Sequence, residues 1–146
     1  MTPRVLLERL VAWFSRHPAR YRGSRGLGQE WERLAEKKLN AAGYRVLERN
    51  FRTRVGELDF VAEQEGVLCF IEVKGRRDAQ FGVPEEAVTG EKQRRIFRAA
   101  QAYLQRRRKT GVPCRFDVVA ILGQGNQMEI RILRDAFQGP PPPRRR

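Results

Sequence analysis

The sequence predicts one small α/β domain, a central mixed sheet flanked by helices in the order α-β-β-β-α-β-β, with a further helix ahead of it. Three observations carry this. The chain has 146 residues, a length that suits one core and one set of packed layers. Apolar residues recur at helical spacing in two long stretches of the core, and between and after those stretches they fall into five short runs with strand character. The expected organisation is an amphipathic helix and basic linker over 1–25, the α/β domain over 26–137 and a Pro/Arg-rich disordered tail over 138–146.

Within the first segment, Leu6, Leu7, Leu10, Val11 and Phe14 lie at helical spacing. Glu8 and Arg9 interrupt any signal-peptide core, and the run is far too short to span a bilayer. The basic, Gly-containing stretch 16–25 follows as a hinge or arm. The first core helix begins near residue 28, where Trp31, Leu34, Ala35, Leu39 and Ala42 recur and Gly43 supplies a stop. On that helix Glu32 borders the apolar stripe and can point toward the sheet, with Glu30 at the opposite edge. Strands follow over 44–52, 57–63 and 67–74, the last two joined by a short turn around Gln64, Glu65 and Gly66. A long helix over 89–108 buries Ile96, Phe97, Ala100, Tyr103 and Leu104, and two more strands cover 116–122 and 128–133.

Composition narrows the function. Thirty Lys and Arg against seventeen Asp and Glu give a formal charge of +13, which calls for a polyanionic partner, nucleic acid first. The charge is unevenly placed. Between Lys92 and Lys109 there are eight basic residues and no acid, and the chain ends in four prolines and Arg144, Arg145 and Arg146. The helical block can track phosphates at fixed geometry, through Lys92, Arg94, Arg95, Arg98, Arg106, Arg107, Arg108 and Lys109, whereas the tail adds only non-specific attraction. Cys69 and Cys114 have neither CxxC spacing nor a nearby histidine, which argues against zinc and against a disulfide framework and points to a reduced, cytoplasmic setting. His17, the one histidine, precedes Pro18 in the basic linker and reads as a loop residue.

The few acids fall in a pattern. Glu57 and Asp59 are two apart on one strand, Glu72 and Lys74 two apart on the next, and period two puts each pair on one face. An even hairpin register places all four together; an odd one separates Asp59 from Glu72. Clustered carboxylates raise one another's pKa unless a cation compensates, and hard divalent ions take one or two carboxylates with waters and phosphate oxygens. A lysine two residues past such a Glu can orient water and offset charge on a phosphorane. Alone, Ile71-Glu72-Val73-Lys74 equally suits an edge strand with a solvent-facing Glu-Lys pair. Its weight comes from the neighbouring Asp59 and Glu32 and the basic helix that follows.

The stretches Arg54-Val55-Gly56-Glu57-Leu58-Asp59-Phe60-Val61 and Phe70-Ile71-Glu72-Val73-Lys74-Gly75-Arg76 resemble the YraN-like family of small uncharacterised bacterial proteins, related to archaeal Holliday junction resolvases. The similarity extends through Asn50-Phe51-Arg52 and Lys92-Gln93-Arg94-Arg95 to Arg115-Phe116-Asp117-Val118-Val119. It implies a restriction-endonuclease-like fold of the PD-(D/E)xK kind, with Asp59 and Glu72 at the metal-binding acids, Lys74 at the catalytic lysine and Glu32 at the helix-borne acid. Leu58 stands where the nominal motif has proline.

The expected activity is Mg²⁺- or Mn²⁺-dependent phosphodiester hydrolysis with one or two metals. Asp59, Glu72 and the Val73 carbonyl hold the ion, Lys74 positions water and Glu32 assists. Glu57 and Gln93 are accessory candidates, and Gln93 can as well satisfy backbone groups in its helix's first turn. The partner is nucleic acid, DNA before RNA, with no membrane, and a homodimer is what junction cutting would need. The alternative is a non-catalytic nucleic-acid-binding protein that retains the fold.

Overall fold

The computed structural model describes residues 25–76, 90–123 and 125–137. The expected N-terminal helix, the basic linker and the tail lie outside them. The elements run α1 (Arg25–Ala41), β1 (Arg45–Arg52), β2 (Glu57–Gln64), β3 (Val67–Arg76), α2 (Gly90–Arg106), β4 (Cys114–Leu122), a 3₁₀ turn (Gly125–Gln127) and β5 (Glu129–Phe137). This is the α-β-β-β-α-β-β order, with element ends shifted by a few residues.

The five strands form one mixed sheet in the order β1-β2-β3-β4-β5. Neighbours are antiparallel except β3 and β4, which pair in parallel across the α2 crossover. Such a crossover is what a parallel pair requires. Helix α1 covers one face, packing its Trp31, Ala35 and Leu39 with Tyr44, Phe60, Cys69, Ile71, Val119 and Ile121. Helix α2 covers the other with Ile96, Ala99, Ala100 and Tyr103 against Phe51, Val61, Phe70, Phe116 and Val118. Because β3 and β4 are covered on both faces they read as nearly continuous apolar runs, as buried central strands do.

Register is set by the β2–β3 turn. Glu65 and Gly66 both have positive φ, 50° and 78°, the geometry of a two-residue turn whose twist matches the flanking strands. Gln64 therefore pairs with Val67, and the ladder runs back to Phe60 opposite Ile71. This is the even offset, and the pairing ends there, one residue short of Asp59 and Glu72.

Candidate functional site

The site is built where β2 parts from β3. The β2–β3 pairing ends at Phe60 and Ile71, while β3 continues beside β4 from Glu72, opposite Val118, to Arg76, opposite Leu122. On the β1 side, Arg49 pairs with Phe60 and Phe51 with Leu58, leaving Asn50 and Asp59 facing each other outside the ladder. Asn50 has φ 52°, a left-handed conformation that asparagine tolerates better than most residues. Alternation breaks here: Leu58 joins the α2-side core and Phe60 the α1-side core. The kink turns the Asp59 side chain into the fork, where its Oδ2 accepts the Val73 N–H at 2.7 Å. A strand residue presents its N–H and C=O to the same neighbour, so the Val73 carbonyl faces the same gap.

Three other acids act on Asp59 at that point. Burial pushes the Asp59 carboxyl well above the ordinary carboxylate range, and the charge of Glu72 pushes it further; the Val73 N–H opposes this, and Glu32 and Glu57 add to the rise. Glu72 is 8 % exposed, and its Oε1 stands 3.7 Å from Lys74 Nζ. Glu32 reaches the fork from α1, where Asn50 Nδ2 donates to its Oε2 at 3.4 Å. The helix itself is pressed onto the strand: a Cβ on Gly75 would stand 2.3 Å from the Trp31 indole. Gln93, on the inner face of α2, is 6 % exposed. Glu57 is exposed and lies 3.5 Å from Arg52, and Glu30 is exposed as well.

The basic residues divide into two groups. Arg94, Arg95 and Arg98 are exposed on the first turns of α2, and only the backbone of Lys92 is described. At the other end of the helix Arg107 is paired with Glu48 and lies over the Phe51 and Tyr103 rings, with Arg106 also over Phe51. Arg107 is thereby committed to the β1 edge, while Arg108 and Lys109 follow in the turn beyond the helix.

The donor set suits a hard divalent ion in kind: two carboxylates and a backbone carbonyl at one fork, with room left for oxygen ligands that are not protein. Among the described residues no group of three or more His, Cys, Asp or Glu side chains could hold a metal, so the carbonyl and non-protein ligands are necessary to that fit. Asn50 was not among the residues singled out from the sequence. Its signal is a lone asparagine inside an otherwise strand-like run, a residue type that tolerates the left-handed conformation it adopts there.

A model described as "Uncharacterised protein family UPF0102" matches residues 31–121. The chain is similar to the UPF0102 protein of Symbiobacterium thermophilum, 46% identical over 115 residues that cover 78% of this chain and 98% of that protein. It is also similar to a UPF0102 protein of Lachnoclostridium phytofermentans, 47% identical over 113 residues, 77% of this chain and 91% of the relative. A third, from Chlorobaculum parvum, is 46% identical over 117 residues, 76% of this chain and 91% of its own length.

Proposed function

We propose that this chain, which belongs to the uncharacterised protein family UPF0102, is a divalent-metal-dependent nuclease that hydrolyses phosphodiester bonds in DNA. The family is the YraN-like one that the sequence motifs resemble. The observation that carries the reading is the fork at Asp59, where mutually repelling carboxylates gather beside a lysine in a chain of net charge +13. A basic protein that brings its acids together at one partly buried point needs a reason to do so, and a cation between protein and phosphate supplies one. A five-stranded mixed sheet with a helix on each face is compatible with the restriction-endonuclease-like fold the motifs imply.

In this reading Asp59, Glu72 and the Val73 carbonyl hold Mg²⁺ or Mn²⁺. When bound, the ion supplies Lewis-acid polarisation of a phosphate oxygen. The chain's own groups do the rest. The Lys74 ammonium donates to the attacking water and offsets charge that develops on the phosphoryl oxygens. Glu32, steadied by Asn50, accepts a hydrogen bond from a water at the α1 side of the fork. Gln93 offers an amide from α2, and Arg94, Arg95 and Arg98 attract the flanking backbone without reading base sequence. Among the described residues no helix is long and apolar enough to cross a membrane, and a homodimer is the assembly that cutting both strands of a junction needs.

A second reading, nucleic-acid binding without cleavage, is favoured by the Glu72–Lys74 pair and the lack of a three-side-chain metal cluster among the described residues. The two are separated by cleavage of a labelled panel of duplex, single strand, flap, four-way junction and RNA with Mg²⁺ or Mn²⁺, using wild type, Lys74→Ala and Asp59→Ala. Cleavage by wild type that falls by two or more orders of magnitude in both variants, as loss of a preorganised charged group does, supports the nuclease. Binding across the panel without cleavage would select the second reading.

A further inference from the structure

The β1–β2 turn is a rigid projection at the lip of the fork. Thr53 fastens it from within: its N–H and its Oγ1 both donate to the Gly56 carbonyl, at 2.9 and 2.8 Å. Its Oγ1 accepts the N–H groups of Val55 and Gly56 at 3.2 and 3.1 Å. One donation and two acceptances fill that hydroxyl's capacity. From below, the turn rests on α2 so closely that a Cβ on Gly56 would stand 2.4 Å from the Arg95 carbonyl oxygen. The turn is therefore fixed to the first turns of the helix at Gly56, three residues before Asp59.

Its outward groups are cationic with one apolar tip. Arg54 and Val55 are exposed, and Val55, at 44% exposure, is one of two exposed large hydrophobics among the described residues. Among the described residues Arg52 is engaged in the open pair with Glu57, an exposed contact of little strength that a phosphate can displace. Arg94 and Arg98 are exposed on either side of Arg95. A turn that serves only to join strands favours Gly, Asn, Asp, Pro or Ser, whereas this one holds the β-branched Val55 out beside Arg54, exposed among the described residues.

We infer that the 52–56 turn, with Arg94 and Arg98, is the surface that seats the DNA strand beside the fork, Arg54 on a phosphate and Val55 against the sugar or base next to it. This rests on the nucleic-acid reading above and assigns the grip to residues outside the basic run 92–109 as well as to its first turns. Charge complementarity selects the partner. The rigidity means that little ordering has to be supplied on binding.

The test is equilibrium binding of a fluorescently labelled DNA duplex in Ca²⁺ over a series of salt concentrations, with wild type, Arg54→Ala, Arg54→Lys, Val55→Ser and Lys38→Ala. Removing one phosphate contact lowers the slope of log K against log salt by about 1, so Arg54→Ala should show that loss and Arg54→Lys should restore it. Val55→Ser should weaken binding about tenfold at every salt concentration without changing the slope, since its contact is apolar. Lys38→Ala, an exposed cation in the last turn of α1, should change neither. Duplex binding by wild type with an unchanged slope in Arg54→Ala would overturn the inference and leave the nuclease reading standing. No binding by wild type would overturn both.

Discussion

Asp117 is a wholly buried carboxylate held from several sides. Its Oδ2 accepts the Tyr44 hydroxyl at 2.8 Å and its Oδ1 the Asp135 N–H at 2.8 Å, while Arg115 Nε lies 3.0 and 3.1 Å from the two oxygens. The side chain fills the irregularity where β4 and β5 shift register, between Phe116 and Val118, and Asp135 takes φ 52° to reach it. Two of the partners that justify the burial of Asp117, Tyr44 and the Asp135 N–H, come from elsewhere in the chain and cannot be read along β4. Burial pushes the Tyr44 hydroxyl up to about 12, with the Asp117 charge and hydrogen bond adding to it, and burial likewise pushes the Cys69 thiol to about 12. Both groups bind their protons more tightly folded than unfolded. The stability they contribute is complete below their unfolded values, near 10 and 8.5, and is lost as pH rises toward 12. Urea denaturation at pH 8 and pH 11 should show wild type losing about 1.4 kcal/mol more than Tyr44→Phe over that interval, because pH 11 lies about one pH unit above the hydroxyl's unfolded value. Equal losses in the two proteins would mean that the Tyr44 hydroxyl is not buried beside Asp117 as described.

At the scale of elements, much of the fold was legible. The 3.6-residue pattern of Trp31, Ala35 and Leu39 and that of Ile96, Ala100 and Tyr103 gave the two helices, whereas the sequence alone leaves the β2–β3 register open between an even and an odd offset, and the pairing of Gln64 with Val67 makes it even. The fork was not legible, because it arises where strands part: β2 stays with β1 past Asn50, while β3 leaves β2 and stays with β4. Pairing of this kind is a property of partners and cannot be read along one strand. Nor does periodicity show how closely α1 approaches β3. That approach depends on Gly75, where any side chain meets the Trp31 ring at 2.3 Å. Gly75→Ala should cost about 1–3 kcal/mol, the usual penalty of overpacking, and Trp31→Leu should leave room for the added methyl. The double variant Trp31→Leu/Gly75→Ala should then be more stable than the sum of the two single losses predicts, by about 0.5 kcal/mol or more for residues in direct contact. Additive losses in urea denaturation would show that α1 sits at its height for another reason, and that Glu32 owes its position to something other than this contact.

For the whole molecule the governing quantity is charge. Many of the described acids are committed: Glu36 to Arg49, Glu48 to Arg107, Glu63 to Arg45, Asp117 to Arg115, Glu129 to Arg131, and Glu32, Asp59 and Glu72 to the fork. The chain as a whole carries +13, and among the described residues exposed cations such as Arg33, Lys37, Arg54, Arg94 and Arg98 contribute to it, repelling one another in the folded state more than in an expanded chain. Salt shortens the reach of that repulsion, from a screening length of about 30 Å at 0.01 M to about 8 Å at 0.15 M, while it takes little from exposed ion pairs that contribute under about 1 kcal/mol each. Folding stability should consequently rise with salt. A gain of about 1 kcal/mol corresponds to roughly 4 °C in a domain of this size, readable by thermal unfolding in NaCl from low to physiological ionic strength. Duplex affinity should move the opposite way over the same range, because every phosphate contact releases counterions. A melting temperature that fell with salt would mean that the ion pairs outweigh the repulsion, and the surplus cations would then need no polyanion to explain them.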